Sequence, residues 1–346
     1  MGDVAGGLRV RSQHVRTVTA AVSNRGPNGR FAAMSAVPYF QYVRRAPGGA
    51  LAPLVRESWS MRAERCRTAV EAALPDGAVE VYFNLGPAGR HLGDRQHSTP
   101  RRPRAAWIIG PRDRPLLIEK EIRDCDVVGV RLRPGTAMCV LGVPAIEIRA
   151  GMHDLDLFWG HEVDEIRERL AATSDPGARL SIVECAVARR LARSTTGVGA
   201  SMARTLCDTI TSSTDESIGS IAARAGLSHR RLIALVDETV GLKPKAFQRV
   251  QRLRRVFRLV DHVPRLSWTA IAHRSGYFDQ AHMINDFRGL TGVSPAEYAT
   301  TKTSVGEGFM PYRLAPGLES PTGEGMARAD SQLPAAVSSL PATSFS

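Results

Sequence analysis

The feature that most constrains this chain is an internal repeat. Ser217-x-x-x-Ile221-Ala222-x-Arg224-x-Gly226 returns as Ser267-x-x-x-Ile271-Ala272-x-Arg274-x-Gly276, and Gly241-Leu242-Lys243-Pro244 returns as Gly292-Val293-Ser294-Pro295. The offset is 50 residues at the start and 51 at the end, so the second copy has one extra residue in its turn. Self-similarity at such a period means two copies of one supersecondary unit. In the first copy Ile218, Ile221, Ala222 and Ala225 fall on one helical face, Gly226 permits a tight turn and Ser228 can cap a following helix. That next helix carries Leu232, Leu235, Val236 and Val240 on its inward side. In the second copy Ile271 and Ala272 precede Gly276, Asp279 is the candidate cap, and Met283, Phe287 and Leu290 face inward. Helix, short glycine-containing turn, helix is the layout of a helix-turn-helix, whose second helix can lie in a DNA major groove. One such pattern is weak evidence, because any pair of antiparallel helices can mimic it; two copies with matched glycines and prolines are far more specific.

Between the copies, the spacing predicts one helix from Ala246 to Val260, with Phe247, Val250, Leu253, Phe257 and Val260 inward. It spans roughly 22–27 Å, a strut that could hold two recognition helices near the roughly 34 Å between successive major-groove faces. It also carries Arg249, Arg252, Arg254, Arg255 and Arg258 without an acid among them. Two readings of these arginines stay open: a basic face in water with one or two pairing acids of the fold, or a row of phosphate contacts.

The rest of the 346 residues divides by texture. Residues 1–36 hold five arginines and one acid around turn-rich Asn24-Arg25-Gly26-Pro27, which reads as a disordered basic arm. From 37 to 150 short β-type runs (79–85, 106–109, 116–118, 127–132) alternate with turn signals such as Pro75-Asp76-Gly77 and Arg133-Pro134-Gly135, with a helix expected around 58–73. This segment reads as a sensor or dimerisation domain. Residues 151–212 turn helical and read as a connector, 213–300 form the repeat unit, and 301–346 have the Ser/Pro/Gly composition of a disordered tail. The fold class is therefore α+β: a β-rich N-terminal sandwich or barrel-like domain with flanking helices, then an all-α domain of two helix-turn-helix units joined by a long helix.

Charge then acquires an address. Lys+Arg exceed Asp+Glu by 46 to 34, a net of +12. Residues 215–300 hold 13 cations and 8 acids, whereas residues 37–180 hold 21 and 19. The excess concentrated on the repeat points to nucleic acid as the acidic partner. No apolar run approaches the roughly 18 residues that cross a bilayer, so no membrane partner is expected, and a cytoplasmic, nucleoid-associated protein is. The five cysteines (Cys66, Cys125, Cys139, Cys185, Cys207) form no C-x-x-C pair and read as buried, reduced thiols; no metal and no cofactor are expected.

The repeat resembles the AraC/XylS family of bacterial transcription regulators. The resemblance is carried by Ile221-Ala222-x-x-Ala225-Gly226-Leu227-Ser228-x-x-x-Leu232, by Gly241-Leu242-Lys243-Pro244-x-Ala246-Phe247, and most specifically by Ile271-Ala272-x-x-x-Gly276-Tyr277-x-Asp279-Gln280-x-His282-x-x-x-x-Phe287-Arg288-x-x-x-Gly292-x-Ser294-Pro295-x-x-Tyr298. Residues 38–190 look, more loosely, like the β-rich domain that accompanies one branch of that family. The resemblance implies sequence-specific binding to double-stranded DNA, with bases read by Arg230, Ile233 and Ala234 of the first unit and Gln280, Ala281, Ile284 and Asn285 of the second. Arginine suits guanine; Gln or Asn suits adenine; Ile and Ala offer only apolar contact, as with a thymine methyl. The family often has arginine where this chain has Ala234 and Asn285, so Arg230 is expected to dominate the first site. Ser228, Arg231, Lys243, Lys245, Arg274 and Arg288 are the expected contacts to the DNA backbone. A small-molecule effector, RNA polymerase and a second copy of the chain are the further partners implied.

Two rival functions compete with this reading. An enzyme would need chemistry in the N-terminal half, but His91, His97, His153 and His161 lack metal-ligand clustering, and Gly86-Pro87-x-Gly89 lacks the lysine and the frame of a phosphate loop. The expectation is no enzyme. The second rival is a ligand-sensing or interaction module whose DNA readout has degraded, which the absence of arginine at Ala234 and Asn285 would favour.

Overall fold

A computed structural model of the protein describes residues 40–63, 69–86, 90–91, 105–120, 125–149, 151–194, 198–213, 215–263, 266–301 and 309–312. The arm expected over residues 1–36, Cys66, and the tail beyond 312 lie outside these residues. The N-terminal part contains β1 (Phe40–Arg45), β2 (Val55–Ala63), β3 (Ala69–Ala73), β4 (Glu80–Asn84), β5 (Arg90–His91), β6 (Ala106–Ile109), β7 (Leu116–Lys120) and β8 (Cys125–Leu132). There follow α1 (Ala137–Leu141), a 3-10 turn (Ala145–Ile148), β9 (Met152–Asp154), α2 (Asp156–Trp159), α3 (Glu162–Ala171) and α4 (Pro176–Arg193). Then come α5 (Val198–Ser212), α6 (Ile218–Arg224), α7 (His229–Val240), α8 (Pro244–His262), α9 (Trp268–Arg274), α10 (Gln280–Thr291) and α11 (Pro295–Thr301), and a last strand, β10 (Phe309–Tyr312).

The strands form a six-stranded antiparallel sheet in the order β1-β2-β8-β4-β6-β9 and a four-stranded one in the order β10-β3-β7-β5. The helix expected around 58–73 is thus replaced by strands β2 and β3. Apolar alternation is hidden in β2 because Ser58 and Ser60 occupy its buried helix-facing side, where the Ser58 hydroxyl donates to Glu184 of α4. The tail reading also needs correction at one point, since residues 309–312 pair antiparallel with β3, Phe309 opposite Ala73 and Tyr312 opposite Val70. Of the cysteines, Cys139 and Cys207 are buried and Cys125 is half-buried, but Cys185 is exposed on α4 rather than buried.

Both faces of the large sheet are covered. Val81, Phe83, Ile108, Val128, Val130 and Leu132 point to one side and share a core with Val163, Ile166, Leu170, Val183, Ala186 and Val187. Helices α3 and α4, from the stretch read as a connector, are therefore built into the sheet's core. On the other side lies an aromatic row, Tyr42 of β1, Trp59 of β2, Tyr82 of β4 and Trp107 of β6, with successive ring centroids 6.2, 5.5 and 5.4 Å apart. Arg131 is buried beside it, bonded to Glu57 at 2.8 Å, paired with Asp76 at 3.3 Å and also paired with Glu80. Burial opposes the Arg131 charge, but these three carboxylates outweigh burial and hold the guanidinium protonated.

The strand-rich part grips the first repeat directly. Gly241 ends α7 with φ +74°, and a Cβ there would lie 2.7 Å from the Ala145 carbonyl oxygen, so only glycine both turns the chain and permits this approach. Arg149 pairs with Asp237 of α7 at 3.5 Å. The Asp76 carbonyl accepts a hydrogen bond from Gln251 Nε2 of α8 at 3.4 Å, next to the close approach of Gly77 to the Phe247 ring. Among the described residues, no helix is long and apolar enough to cross a membrane.

Candidate nucleic-acid interface

The two repeats close in the same way. Ser217 accepts from Ser220 N–H to cap α6, and Ser267 accepts from Ala270 N–H to cap α9. Leu227 N–H donates to Ala222 O at 2.9 Å; its counterpart Tyr277 N–H donates to Ala272 O at 3.0 Å. The turn glycines Gly226 and Gly276 sit at φ +67° and +83°. Each second helix is then capped by a side-chain oxygen, Ser228 on Arg231 N–H and Asp279 on His282 N–H. Such a cap typically contributes about 1 kcal/mol and fixes where the recognition helix begins.

Behind these turns lies a shared core. Phe247, Val250, Leu253, Val256 and Phe257 of α8 are buried, against Leu232 and Val236 on one side and Met283, Phe287 and Tyr298 on the other. Phe257, Phe287 and Tyr298 pack ring on ring, with centroids 4.7–5.8 Å apart. At 19 residues and 1.5 Å per residue, α8 is about 28 Å long, a rigid spacer between the two recognition helices.

The arginines of α8 divide between the two open readings, chiefly towards the fold. Arg249 Nε donates to Asp286 Oδ1 at 2.6 Å and Arg252 lies 3.9 Å from Asp286 Oδ2 while stacking over the Tyr277 ring. Arg255 donates to the carbonyls of Thr211 and Ser212, tying α8 to α5, and Arg254 donates to Gln251. Arg258 alone of the five is exposed. The Tyr277 hydroxyl also donates to Asp286, at 3.2 Å, and burial followed by that carboxylate pushes the Tyr277 phenol up. Asp286 thus clamps α10 onto α8.

Each residue expected to read bases lies on the outer side of its helix. Arg230, Ala234, Ala281 and Asn285 are exposed; Ile233, Gln280 and Ile284 are half-buried. Arg230 and Gln280 sit in the first turns of α7 and α10, which a helix-turn-helix presents to base edges. Gln280 is held in place: the Thr269 hydroxyl of α9 donates to its Oε1 at 3.0 Å. Of the residues assigned to the backbone, Arg231, Lys245, Arg274 and Arg288 are exposed, Ser228 is engaged as a cap, and Lys243 is drawn 2.5 Å from Asp237. The His282 ring lies edge-on to Tyr277 at 5.3 Å.

Sequence reasoning missed Asp286 and Thr269. Asp286 follows Met283 by three residues on the inward face of α10, and an acid on an apolar stripe was the available signal. Thr269 gave none, because its partner is fixed only by the crossing of α9 and α10. Among the described residues no group of three or more His, Cys, Asp or Glu could hold a metal ion.

Comparison with known proteins decides the matter. Residues 221–301 match the sequence family described as a helix-turn-helix domain, over both copies of the repeat. They form an AraC-type helix-turn-helix domain. Residues 43–153 match a second family, a domain of unknown function designated DUF6597. With its AraC-type domain the chain is a DNA-binding transcription regulator. No curated protein matches it at a significant level. Among solved structures it is similar to ToxT from Vibrio cholerae, at 10% identity over 75% of this chain and 98% of that one, with a TM-score of 0.42. The AraC-type domain is similar to the C-terminal domain of AraT, a response regulator from Geobacillus stearothermophilus (22% identity, 29% and 84% covered, TM-score 0.27). It is also similar to the DNA-binding domain of AdpA in complex with a target DNA (23% identity, 30% and 92% covered, TM-score 0.27).

Proposed function

We propose that this regulator reads two successive major-groove half-sites in double-stranded DNA, Arg230 dominating the first and Gln280 the second. The observation that carries this reading is the repeated turn, which presents Arg230 and Gln280 from the first turns of two equivalent helices on either side of the α8 strut. Ile233 and Ala234 add apolar contacts in the first half-site; Ala281, Ile284 and Asn285 complete the second. Arg231, Lys245, Arg274 and Arg288 set register and affinity on the phosphates, and Ser228 offers its hydroxyl there. Lys243 contributes less, being held by Asp237.

The N-terminal domain is the regulatory part. Asp76 supports this: its carboxylate pairs with Arg131 inside the sheet, and its carbonyl accepts from Gln251 on α8. A small molecule that displaces the Arg131 cluster would act on α8 through that turn. RNA polymerase and a second copy of the chain are the macromolecular partners we assign to the regulator besides DNA, and the cytoplasmic nucleoid is where it acts.

The test is selection of duplexes from a random library by the full chain, followed by titration of the selected sequence at several salt concentrations. Four phosphate-directed cations give a slope of log K against log salt of about −3.6. Enrichment of a bipartite sequence with that slope supports the reading. Salt-sensitive binding without any enriched sequence would contradict it and favour an interaction module with degraded readout, to which Ala234 and Asn285 point.

A further inference from the structure

We propose that Phe278 is an additional specificity-determining residue of the second half-site, pressing its ring on a thymine methyl group beside the bases that Gln280 and Asn285 read. The inference rests on the DNA-reading function proposed above. It starts from the repeat. Leu227 and Tyr277 correspond at an offset of 50, whereas the caps Ser228 and Asp279 correspond at 51. The residue of the second copy that has no counterpart in the first is therefore Phe278.

The fold has no use for that residue. The turn bond before it and the side-chain cap after it form in both copies, the turn bonds at 2.9 and 3.0 Å, so the insertion neither closes the turn nor starts the helix. Phe278 is 85% exposed, more than any other large hydrophobic side chain among the described residues. A phenyl ring standing in water immediately before a recognition helix gains free energy only when something covers it.

The surroundings name that something. Along the outer side of α10 the next residues at spacings of three are Ala281 and Ile284, and no cation appears on the helix before Arg288. Gln280, Ala281, Ile284 and Asn285 therefore offer this half-site amide and apolar contacts only. Apolar side chains distinguish bases through the thymine C5 methyl, which projects into the major groove. The exposed cations Arg274 and Arg288 lie on the same helix-turn-helix and suit flanking phosphates, which sets DNA rather than a protein surface against Phe278.

The experiment uses the full chain and the duplex it selects. Each thymine of the second half-site is replaced singly by deoxyuridine, which deletes only the methyl group. Wild type is expected to lose about four-fold in affinity at one such position, the worth of one buried methyl. Phe278→Ala is expected to bind thymine and uracil duplexes equally there, with an unchanged salt slope and an unchanged unfolding midpoint, because neither a charge nor a core contact is removed. An identical thymine-to-uracil profile in wild type and Phe278→Ala would overturn the proposal while leaving the DNA-reading function standing. Intact DNA binding by Phe278→Ala with loss of transcriptional activation would also overturn it, and would assign the ring to a protein partner. Failure of the wild-type chain to select any sequence would overturn both.

Discussion

Replacing Asp286 with alanine removes the clamp between α10 and α8. The carboxylate is 6% exposed and bonded to Arg249 and to the Tyr277 hydroxyl, with Arg252 at 3.9 Å. Breaking a buried pair from one side costs about 3–5 kcal/mol, because the other partner is left buried with its charge unmet. Arg249 is 44% exposed at its side chain and can turn to water, but Arg252 and Tyr277 cannot. The lower end, about 3 kcal/mol, is therefore expected. Asp286→Asn keeps the shape and one acceptor and is expected to cost about half as much. Urea unfolding followed by circular dichroism measures both; Trp268 on α9 gives a local fluorescence signal from the second unit. Specific DNA affinity should fall with the position of α10, while the salt slope stays constant because no exposed cation is lost. An Asp286→Ala protein within about 0.5 kcal/mol of wild type, the usual range for an inconsequential surface change, would refute the clamp.

Three further outcomes follow from the same geometry. Gly241→Ala forces a side chain into positive φ, at about 1–2 kcal/mol, and against the Ala145 carbonyl; a lower urea midpoint is expected, and an unchanged one would show that this approach does not hold the first repeat on the strand-rich part. Thr269→Val deletes the hydroxyl that orients Gln280; base discrimination at the second half-site should relax with stability unchanged to within about 0.5 kcal/mol, and undiminished discrimination would show that Gln280 orients itself. Burial, reinforced by Glu57, Glu80 and Asp286, raises the phenols of Tyr42, Tyr82 and Tyr277 above their ordinary value of 10. Their folded pKa exceeds the unfolded one, so the stability they carry is present below about pH 10 and lost as pH rises beyond it. A urea midpoint that declines from pH 9 to pH 11 is expected, and a flat one would contradict the burial of these hydroxyls.

How much of this was legible in the sequence depended on whether a residue's role was set by local periodicity or by a crossing of distant elements. Ser217, Ser228, Ser267 and Asp279 cap helices from within three residues, and the glycines turn the chain where they stand, so both helix-turn-helix units could be read directly. The strands around Val81 and Val130 were legible because their apolar runs are bounded by turns. Strand β2 was not, since its Ser58 and Ser60 face helix α4 across 126 residues of sequence in the Ser58–Glu184 bond. The same reason hid Asp286, whose partners lie on α8, and strand β10, whose partner β3 lies more than 230 residues upstream. The run of arginines on α8 suggested a phosphate-binding face as readily as an internal one; only the positions of Asp286 and of the Thr211 and Ser212 carbonyls turned most of them inward.

In the function proposed for the regulator, Arg230 and Gln280 read separate half-sites. Binding of wild type, Arg230→Ala and Gln280→Ala to every single-base variant of the selected duplex tests it most directly. Each substitution is expected to cost about 1–3 kcal/mol and to relax discrimination at its own half-site only, the two affected positions lying roughly one helical turn, about 34 Å, apart. Mutants that both discriminate all variants as wild type does, or that lose discrimination at one and the same position, would contradict it.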